Sequence, residues 1–407
     1  MDTARLRQSW NAVAEYGIQL PLFFYSVLFL EHPETRQLFP ASMSSQRDKL
    51  VSALGTVVSN VENLDSVVPV IQQLGRDHRK FSVMAEHYPA VGNALLTTLE
   101  HFLGDRWTPQ LAADWEEAYG LVAKVMIEAA EEAAKVSPPW WEAEVIHHEQ
   151  RTPDIAVLLL RTNQPLDYLP GQSIAVETEL RPRLWRYYTP ANVPREDGTI
   201  ELHVRLVDGG AVSTALVQAV RAGDVLRLGA PVGERLTMEH DHDVVLIAGG
   251  TGLAPFKALV DQAMREGGRR DVHLFVGARN SRELYDLRAL QEYASRVPRL
   301  RVVPAVSDDP RHTGERGQVA DVALRHGPWP HHEIYVCGSS EMVAGSRQAL
   351  RAAGIPDQHV RHETFTGWSV DPPLDEQPDE QPHGLPTEAP SRSTMSQATP
   401  RQPTQYT

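Results

Sequence analysis

The chain has 407 residues, which at roughly 150 residues per domain is enough for two or three domains. Its composition, with 42% hydrophobic and 23% charged residues, is that of a globular protein. The net charge of −14 argues against a nucleic-acid-binding protein, which needs a basic face for phosphates. The single cysteine, Cys337, excludes an intrachain disulfide and favours a reducing compartment.

The most apolar stretch of the sequence is too short for a membrane span. It covers residues 18–30 and is interrupted by Gln19, Pro21 and Ser26, whereas a span needs about 20 apolar residues. We therefore expect a buried helix there. The N-terminus lacks the apolar run and small-residue cleavage site of a signal peptide. These features predict a cytoplasmic protein that binds neither membrane nor nucleic acid.

The first third of the chain has helical periodicity. In residues 50–64, apolar side chains recur every three or four positions, which puts one apolar stripe along a helix. Residues 91–102 and 115–127 repeat this pattern. Prolines fall between the periodic runs, at Pro33, Pro40, Pro69, Pro89 and Pro109. This pattern predicts an all-α domain over residues 1–135.

The pattern changes after residue 137. Short β-rich runs separated by Pro and Gly turns predict an antiparallel β-barrel domain over residues 138–238. These runs are residues 155–160, 173–176, 200–207 and 225–228. Strands then alternate with helical stretches, which predicts a parallel α/β domain over residues 241–368. These strands are residues 244–248, 272–277, 301–305 and 333–337.

The C-terminal segment, residues 369–407, has a different composition from the rest of the chain. Residues 371–407 contain 8 prolines in 37 positions and almost no large apolar side chain. Such a segment cannot bury enough apolar surface to offset the entropy of ordering. We therefore predict a disordered tail after three folded domains.

A glycine-rich turn is the clearest chemical signal. The strand at residues 244–248 runs directly into the turn, and Pro255 stands where a helix would begin. The turn consists of Gly249, Gly250, Thr251, Gly252, Leu253 and Ala254. Glycines let a phosphate approach the backbone, and free amides at a helix start favour the anion. A tight strand–helix turn without a ligand is the alternative on the glycines alone.

Together with later segments, this turn resembles the ferredoxin–NADP reductase family of flavin reductases. The resemblance rests on the run Arg186, Tyr187, Tyr188 and Thr189 in the β domain. It implies an FAD site in which the arginine pairs with the pyrophosphate, the tyrosine stacks on the flavin ring and the hydroxyl residue faces flavin N5. It also implies a second pyrophosphate contact at Gly210, Val212 and Ser213.

The same resemblance implies an NAD(P)H site in the α/β domain. Arg279, with Ser281 and Arg282 nearby, could receive an adenosine 2′-phosphate or form a solvated cluster, so NADH and NADPH both stay open. Two further segments match the family. The first, with Cys337 and Gly338, corresponds to a segment that lies beside the nicotinamide in the family. The second, with Glu363 and Phe365, corresponds to a segment that lies against the flavin.

The helical domain carries a set of aromatic, proline and histidine positions, namely Phe24, Tyr25, Phe29, Pro33, Phe39, residues 46–50, His78 and residues 88–92. With this set the domain resembles the globin domain of flavohaemoglobins, so that the two resemblances together cover residues 1–368. The resemblance implies a haem b whose iron is held by His78, with Phe39 packed on the porphyrin. Tyr25, Gln46 and Leu50 would line the distal pocket. Tyr88 would orient the His78 imidazole together with a carboxylate.

Four positions depart from the family pattern. The carboxylate expected near Tyr88 aligns with Ala130, although Glu131 is next to it. Asp77 replaces the basic residue that usually precedes the proximal histidine. Two further replacements are Ser173, where an aromatic residue is usual, and Ser339, where a proline is usual.

The resemblance implies a monomeric nitric oxide dioxygenase with NO, O₂ and NAD(P)H as its small-molecule partners. NAD(P)H would reduce FAD, FAD would pass single electrons to the haem, and haem-bound O₂ would oxidise NO to nitrate. One alternative is an NAD(P)H-dependent haem–flavin oxidase or reductase with another electron acceptor. Another is a globin-based O₂ or redox sensor that signals through its tail.

Overall fold

The computed structural model describes residues 1–60, 64–238, 242–267 and 270–364. The predicted tail and Phe365 lie outside these residues. Helices form the first part of the chain, as predicted. They are α1 (Thr3–Ala14), α2 (Gln19–Glu31), α3 (Ser44–Ser59), α4 (Leu64–His78), α5 (Tyr88–Leu103) and α6 (Pro109–Ala134).

The single helix predicted over residues 50–64 is wrong, because α3 ends at Ser59 and α4 begins at Leu64. Asn60 ends α3 by donating hydrogen bonds to the Thr56 carbonyl oxygen from its backbone and its side chain, the latter at 2.8 Å. The stripe in residues 50–64 therefore reaches across the break between two helices.

The prediction that Pro69 separates two helical runs is also wrong, because Pro69 lies inside α4. A proline within a helix removes one backbone hydrogen bond and costs about 3 kcal/mol. Val67 and Ile71 on either side of it are buried and pack with Met126 of α6. Burial of such side chains stabilises by about 1.5–3 kcal/mol each, which offsets the proline.

Helix α4 comes very close to α6 at Gly75. A Cβ atom at this position would lie 2.3 Å from the Met126 carbonyl oxygen and 2.7 Å from its Cα. No side chain fits at that distance, so the two helix backbones can pack together only because this residue is glycine. This contact sets the position of the C-terminal end of α4, where His78 lies.

Helix α2 coincides with the apolar stretch that the sequence predicts as a buried helix, but it is buried on one side only. Leu22 and Leu30 are exposed, whereas Phe24, Tyr25 and Leu28 lie in the core. Within the described residues, no single helix is long and apolar enough to cross a bilayer. Helices α1 and α2 meet the length and composition criteria together, but they are bent by 99° at the break between them.

The second part of the chain is a six-stranded antiparallel sheet with strand order β4-β3-β6-β1-β2-β5. A bridge between Pro190 and Leu202 connects the two outer strands and closes the sheet, as a barrel requires. The elements are β1 (Trp141–Thr152), β2 (Ile155–Thr162), β3 (Ser173–Thr178), β4 (Arg186–Tyr188), β5 (Thr199–Arg205), α7 (Ala211–Thr214) and β6 (Val225–Val232).

The third part is a six-stranded parallel sheet with helices, as predicted, in the order β10-β9-β8-β7-β11-β12. Its strands are β7 (Val244–Gly249), β8 (Val272–Ala278), β9 (Leu300–Val306), β10 (Glu315–Arg316), β11 (Glu333–Gly338) and β12 (Val360–Thr364). Its helices are α8 (Leu253–Arg265), α9 (Leu287–Arg296), α10 (Val319–His326) and α11 (Ser340–Ala352). Strand order turns back beside β7, where the glycine-rich turn begins, and ligands bind at such a crevice in open α/β sheets.

Candidate active site

The predicted distal residues of the helical domain lie together in one apolar cluster. Tyr25 is buried, and its ring meets the Phe39 ring edge-on at a centroid distance of 5.5 Å. Its hydroxyl donates to the Gln46 backbone carbonyl at 3.4 Å, and Leu50 packs against the same cluster. The contact to Gln46 is long for an O–H···O hydrogen bond, so the hydroxyl can turn to another acceptor.

His78 stands at the C-terminal end of α4 with one ring nitrogen engaged. Its Nδ1 lies 2.7 Å from the Leu74 carbonyl oxygen, and only a protonated Nδ1 can donate to that oxygen. Burial lowers the pKa of His78, which favours the neutral ring. A neutral imidazole with its proton on Nδ1 keeps the Nε2 lone pair free, as an iron ligand requires. The Nε2 atom of His78 is therefore suited to bind a haem iron.

The group that orients His78 differs from the one that the family resemblance implies. The Leu74 carbonyl contacts the imidazole, whereas the Tyr88 hydroxyl makes no hydrogen bond to any described residue. Glu131, the carboxylate next to Ala130, is exposed. No contact within the described residues supports an orienting role for Tyr88, and this role therefore stays a prediction.

A cavity of ≈1020 Å³ lies between the barrel and the parallel sheet. This volume suits a large cofactor, since ligand pockets usually measure about 300–1,000 Å³. Most of the predicted flavin and nucleotide residues line it. They are Arg186, Tyr187, Tyr188, Thr189, Gly210, Val212, Ser213, Gly249, Gly250, Thr251, Ala254, Arg279 and Glu363.

One wall of this cavity carries two neighbouring hydroxyl groups. Thr189 follows β4, and its Oγ1 lies 3.0 Å from the Oγ of Ser173 on β3. Both residues are buried and both line the cavity. Ser173, one of the four departures from the family pattern, therefore adds a second hydroxyl beside the predicted flavin-facing residue.

The glycine-rich turn divides into residues that line the cavity and residues that pack behind it. Gly252 and Leu253 are buried, and a Cβ atom on Gly252 would lie 2.2 Å from the Cys337 carbonyl oxygen. Cys337 and Gly338 are likewise buried and do not line the cavity, which Ser339 reaches instead. Burial raises the pKa of the Cys337 thiol well above its usual value, so the thiol stays protonated.

Two of the predicted regions meet at a contact between the helical and barrel domains. The Lys80 ammonium, two residues after His78, donates to the Tyr187 hydroxyl at 2.7 Å. Asp77 lies on the other side, 3.7 Å from the Lys80 ammonium and 3.4 Å from the Tyr187 hydroxyl. The side chains of Lys80 and Asp77 are only 7% and 11% exposed. The C-terminal end of α4 therefore packs directly on the strand that carries Arg186 and Tyr188.

The proposed 2′-phosphate cluster is surrounded by carboxylates. The Arg279 guanidinium pairs with Glu283 at 3.1 Å, and the Ser281 hydroxyl donates to Asp309 at 2.9 Å. Hydrogen bonds from the Arg311 amide and from Ser281 lower the pKa of Asp309, which keeps it ionised. Glu283 and Asp308 themselves line the cavity.

Glu363 brings a carboxyl group with an unusual pKa to the cavity. Burial raises its pKa to about 6, although the nearby Arg235 charge opposes this shift. The group can therefore change its protonation near neutral pH, as a proton donor or acceptor must. Its predicted neighbour Phe365 lies outside the described residues.

Several residues around this cavity belong to no motif of the sequence. His203 and Arg205 of β5 line it, and Lys80 reaches the back of its flavin wall. Glu201, His203 and Arg205 alternate with apolar residues, which marks a polar face of a strand. This alternation is the sequence signal that these three residues share one face of β5, although it does not indicate what the face contacts.

Sequence comparison finds three known domain types in the chain. It matches the Globin family over residues 22–126, the Oxidoreductase FAD-binding domain over 142–236 and the Oxidoreductase NAD-binding domain over 246–348. The chain is also similar to proteins named flavohemoprotein. The one from Bacillus subtilis is 25% identical, with 88% of this chain and 95% of that protein covered. The one from Bordetella parapertussis is 29% identical, with 89% and 97% covered.

Solved structures share the fold. A Malassezia yamatoensis flavohemoglobin with bound FAD and heme superposes with a TM-score of 0.71 at 19% identity, covering 89% of this chain and 98% of that chain. An Amycolatopsis cytochrome P450 reductase superposes with a TM-score of 0.52 at 31% identity, covering 56% of this chain and 70% of that chain. The first likeness supports the three-domain fold, and the second extends over just over half of this chain.

Proposed function

Because the chain belongs to the flavohaemoglobin family, with a globin domain fused to FAD- and NAD-binding oxidoreductase domains, we propose that it is a nitric oxide dioxygenase. Its cofactors are haem, FAD and NAD(P)H. When bound, the flavin converts a two-electron hydride donor into single electrons, and the haem iron binds O₂. The balanced reaction is NAD(P)H + 2 NO + 2 O₂ → NAD(P)⁺ + 2 NO₃⁻ + H⁺.

One contact carries this proposal. The Lys80–Tyr187 hydrogen bond of 2.7 Å joins the helix that ends in His78 to the strand that bears Arg186 and Tyr188. Electron transfer between two cofactors needs their sites to be held close and in a constant orientation. This buried contact supports such a coupling within one chain.

On the distal side, Tyr25 supplies a hydrogen-bond donor. Burial raises the pKa of the Tyr25 hydroxyl, so it keeps its proton. Because its present contact to the Gln46 carbonyl is long, at 3.4 Å, the hydroxyl can donate to a small diatomic ligand in the pocket instead. Phe39 and Leu50 make the surroundings of this hydroxyl apolar.

The test is NO consumption by the purified holoprotein with NADH in air. We expect NO and O₂ to disappear together, with nitrate as product and one NADH oxidised per two NO. Steady NADH oxidation with peroxide release, unaffected by NO, would overturn the proposal in favour of a haem–flavin oxidase. That alternative is favoured by one observation: the His78 imidazole donates to a neutral carbonyl and not to a carboxylate, which makes it a weaker electron donor.

The carboxylates near Arg279 predict a preference for NADH. Glu283 and Asp308 would repel a 2′-phosphate, and the Arg279–Glu283 pair would have to break to admit it. A free ribose hydroxyl can donate to such carboxylates instead. We expect kcat/KM to be about tenfold higher for NADH than for NADPH, which corresponds to about 1.4 kcal/mol.

Steady-state kinetics with both nucleotides checks this preference. Glu283→Gln should raise kcat/KM for NADPH and so lower the ratio of kcat/KM for NADH to that for NADPH. Glu292→Gln, on the exposed face of α9, should leave this ratio unchanged. Equal kcat/KM values for the two nucleotides in the unmodified protein would contradict the prediction.

Replacing Lys80 tests the contact between the haem and flavin sites. Lys80→Met removes the ammonium from Tyr187 and Asp77 but keeps an apolar side chain of similar length. We expect haem reduction in stopped-flow experiments to slow about tenfold, while flavin reduction by NADH keeps its rate. Lys80→Arg should restore part of the loss. The exposed lysine variant Lys135→Met is the control, and an unchanged haem reduction rate in Lys80→Met would contradict the prediction.

A further inference from the structure

The polar face of β5 packs mainly against the neighbouring domain, although the Arg205 side chain near its end remains 34% exposed. Leu202 and Val204 of this strand lie in the barrel core, while Glu201, His203 and Arg205 point the other way. The His203 side chain is 0% exposed. Strands of antiparallel sheets commonly expose such a polar face to water. Where Glu201 and His203 are covered by another domain, that domain must supply groups that pair with them.

That partner is Lys257, on the first helix of the parallel-sheet domain. Its ammonium donates to Glu201 at 2.7 Å and to Asp286 at 2.6 Å, and so links β5 to the start of α9. Arg151 of β1 lies 3.4 Å from the other Asp286 oxygen. Arg151 also pairs with Glu149 at 3.0 Å, so Lys257 is the cation that Glu201 and Asp286 share. Burial by itself would lower the pKa of Lys257, but the two carboxylates outweigh burial and raise it, so the ammonium stays charged.

His203 connects the same cluster to the cavity wall. Its Nε2 lies 2.7 Å from Glu201 and its Nδ1 lies 2.6 Å from the Tyr285 hydroxyl. Burial lowers the pKa of His203, and a neutral ring satisfies both partners in one arrangement. Nε2–H donates to the carboxylate, and Nδ1 accepts a hydrogen bond from the Tyr285 hydroxyl. The imidazole is thus held in one tautomer and one orientation where it lines the cavity.

The cluster reaches the glycine-rich turn through Lys257, and the neighbouring Arg205 lies beside the turn. Lys257 lies in the second turn of α8, the helix that begins at Leu253 directly after the glycines. Arg205, paired with Asp154 at 2.9 Å, brings its Nη1 within 3.0 Å of the position that a Cβ atom on Gly250 would occupy. Lys257 therefore joins the helix that follows the turn to β5 of the barrel, and Arg205 packs beside Gly250.

We propose that Glu201, His203, Lys257, Tyr285 and Asp286 form an interdomain lock, with Lys257 as the positioning residue that holds the nucleotide-binding domain for hydride delivery to the flavin. The proposal rests on the NADH-to-FAD half of the proposed function. Buried ion pairs add little net stability, because the lost hydration offsets the attraction between charges. Their directional bonds do favour one orientation of two packed surfaces over others, and hydride transfer is sensitive to such orientation.

Stopped-flow reduction of the flavin by NADH, without O₂ or NO, tests the lock in the holoprotein. For Lys257→Met we expect about tenfold slower flavin reduction, weaker charge-transfer absorbance between reduced flavin and NAD⁺, and a larger isotope effect with 4-deuterated NADH. FAD content, the haem spectrum and reduction by dithionite should match the unmodified protein. Lys257→Arg should recover most of the rate. Arg296→Met, an exposed variant on α9, is the control.

A folded, FAD-loaded Lys257→Met variant with an unmodified reduction rate and charge-transfer band would overturn the lock. If that variant does not fold, Glu201→Gln provides the same comparison, since the amide keeps the shape and an acceptor oxygen. We expect a roughly threefold slower reduction with the same spectral change for Glu201→Gln, and an unmodified rate and band would again overturn the lock. Because the readout precedes the haem, absence of NO consumption would defeat the dioxygenase proposal without affecting this result.

Discussion

His78→Ala is expected to abolish the haem absorption spectrum and, with it, all NO consumption. The Nδ1 proton of His78 is engaged by the Leu74 carbonyl at 2.7 Å, so Nε2 is the nitrogen that can bind iron. Alanine offers no ligand, and a haem without its protein ligand is held by apolar contacts alone. The measurement is the absorption spectrum of the purified variant, followed by the NO assay, where we expect activity to fall more than about 100-fold.

Two comparisons separate ligand loss from misfolding. His101→Ala removes another histidine of the same domain, one that stacks on Phe23, and should keep the spectrum. His78→Gly leaves a space into which free imidazole can diffuse, and added imidazole should restore the haem bands. A His78→Ala protein with an unchanged haem spectrum and NO turnover would show that another group holds the iron.

Gly252→Ala is expected to remove most NADH-dependent flavin reduction while leaving the haem in place. The new Cβ atom would lie 2.2 Å from the Cys337 carbonyl oxygen and 2.8 Å from the Gly338 nitrogen, both of them backbone atoms. The glycine-rich turn or the end of β11 must therefore shift. A displacement of about 1 Å at a site that orients a substrate can cost about 100-fold in rate.

The same substitution should also lower the free energy of unfolding. Overpacking a buried site costs about 1–3 kcal/mol, which thermal unfolding of the parallel-sheet domain would detect. Gly120→Ala is the matched control, because apart from the backbone of α6 itself no atom of the described residues lies within 4 Å of the added methyl group. A Gly252→Ala protein that reduces flavin at the unmodified rate would contradict the close packing of this turn on β11.

Local patterns in the sequence were enough for much of the fold. The strand at residues 244–248 and the helix predicted to begin near Pro255 both form, and the turn between them brings Gly249, Gly250 and Thr251 to the cavity. Periodicity succeeds here because strands and amphipathic helices bury their apolar residues at regular spacings. It fails at Pro69 and at the break between α3 and α4, because packing on α6 and a side-chain cap on Thr56 decide those positions.

Contacts between distant residues could not be read from the same patterns. The family pattern predicts Cys337 and Gly338 beside the nicotinamide; both pack behind the glycine-rich turn, and Ser339 lines the cavity there. In the sequence, Asp77 stands out only as a departure from the family pattern. Its role becomes visible where Lys80 meets Tyr187, 107 positions later in the chain.

The composition alone indicated a few globular domains and argued against nucleic-acid binding. Periodicity and motifs indicated a helical, an antiparallel β and a parallel α/β part, and most of the flavin and nucleotide residues predicted from the motifs line the cavity. Only the tertiary structure decided what the polar face of β5 meets, which domain Lys80 contacts and which carboxylates surround Arg279. Alternation along a strand specifies which side chains share a face. What that face packs against depends on how separate domains dock, and no local pattern encodes that arrangement.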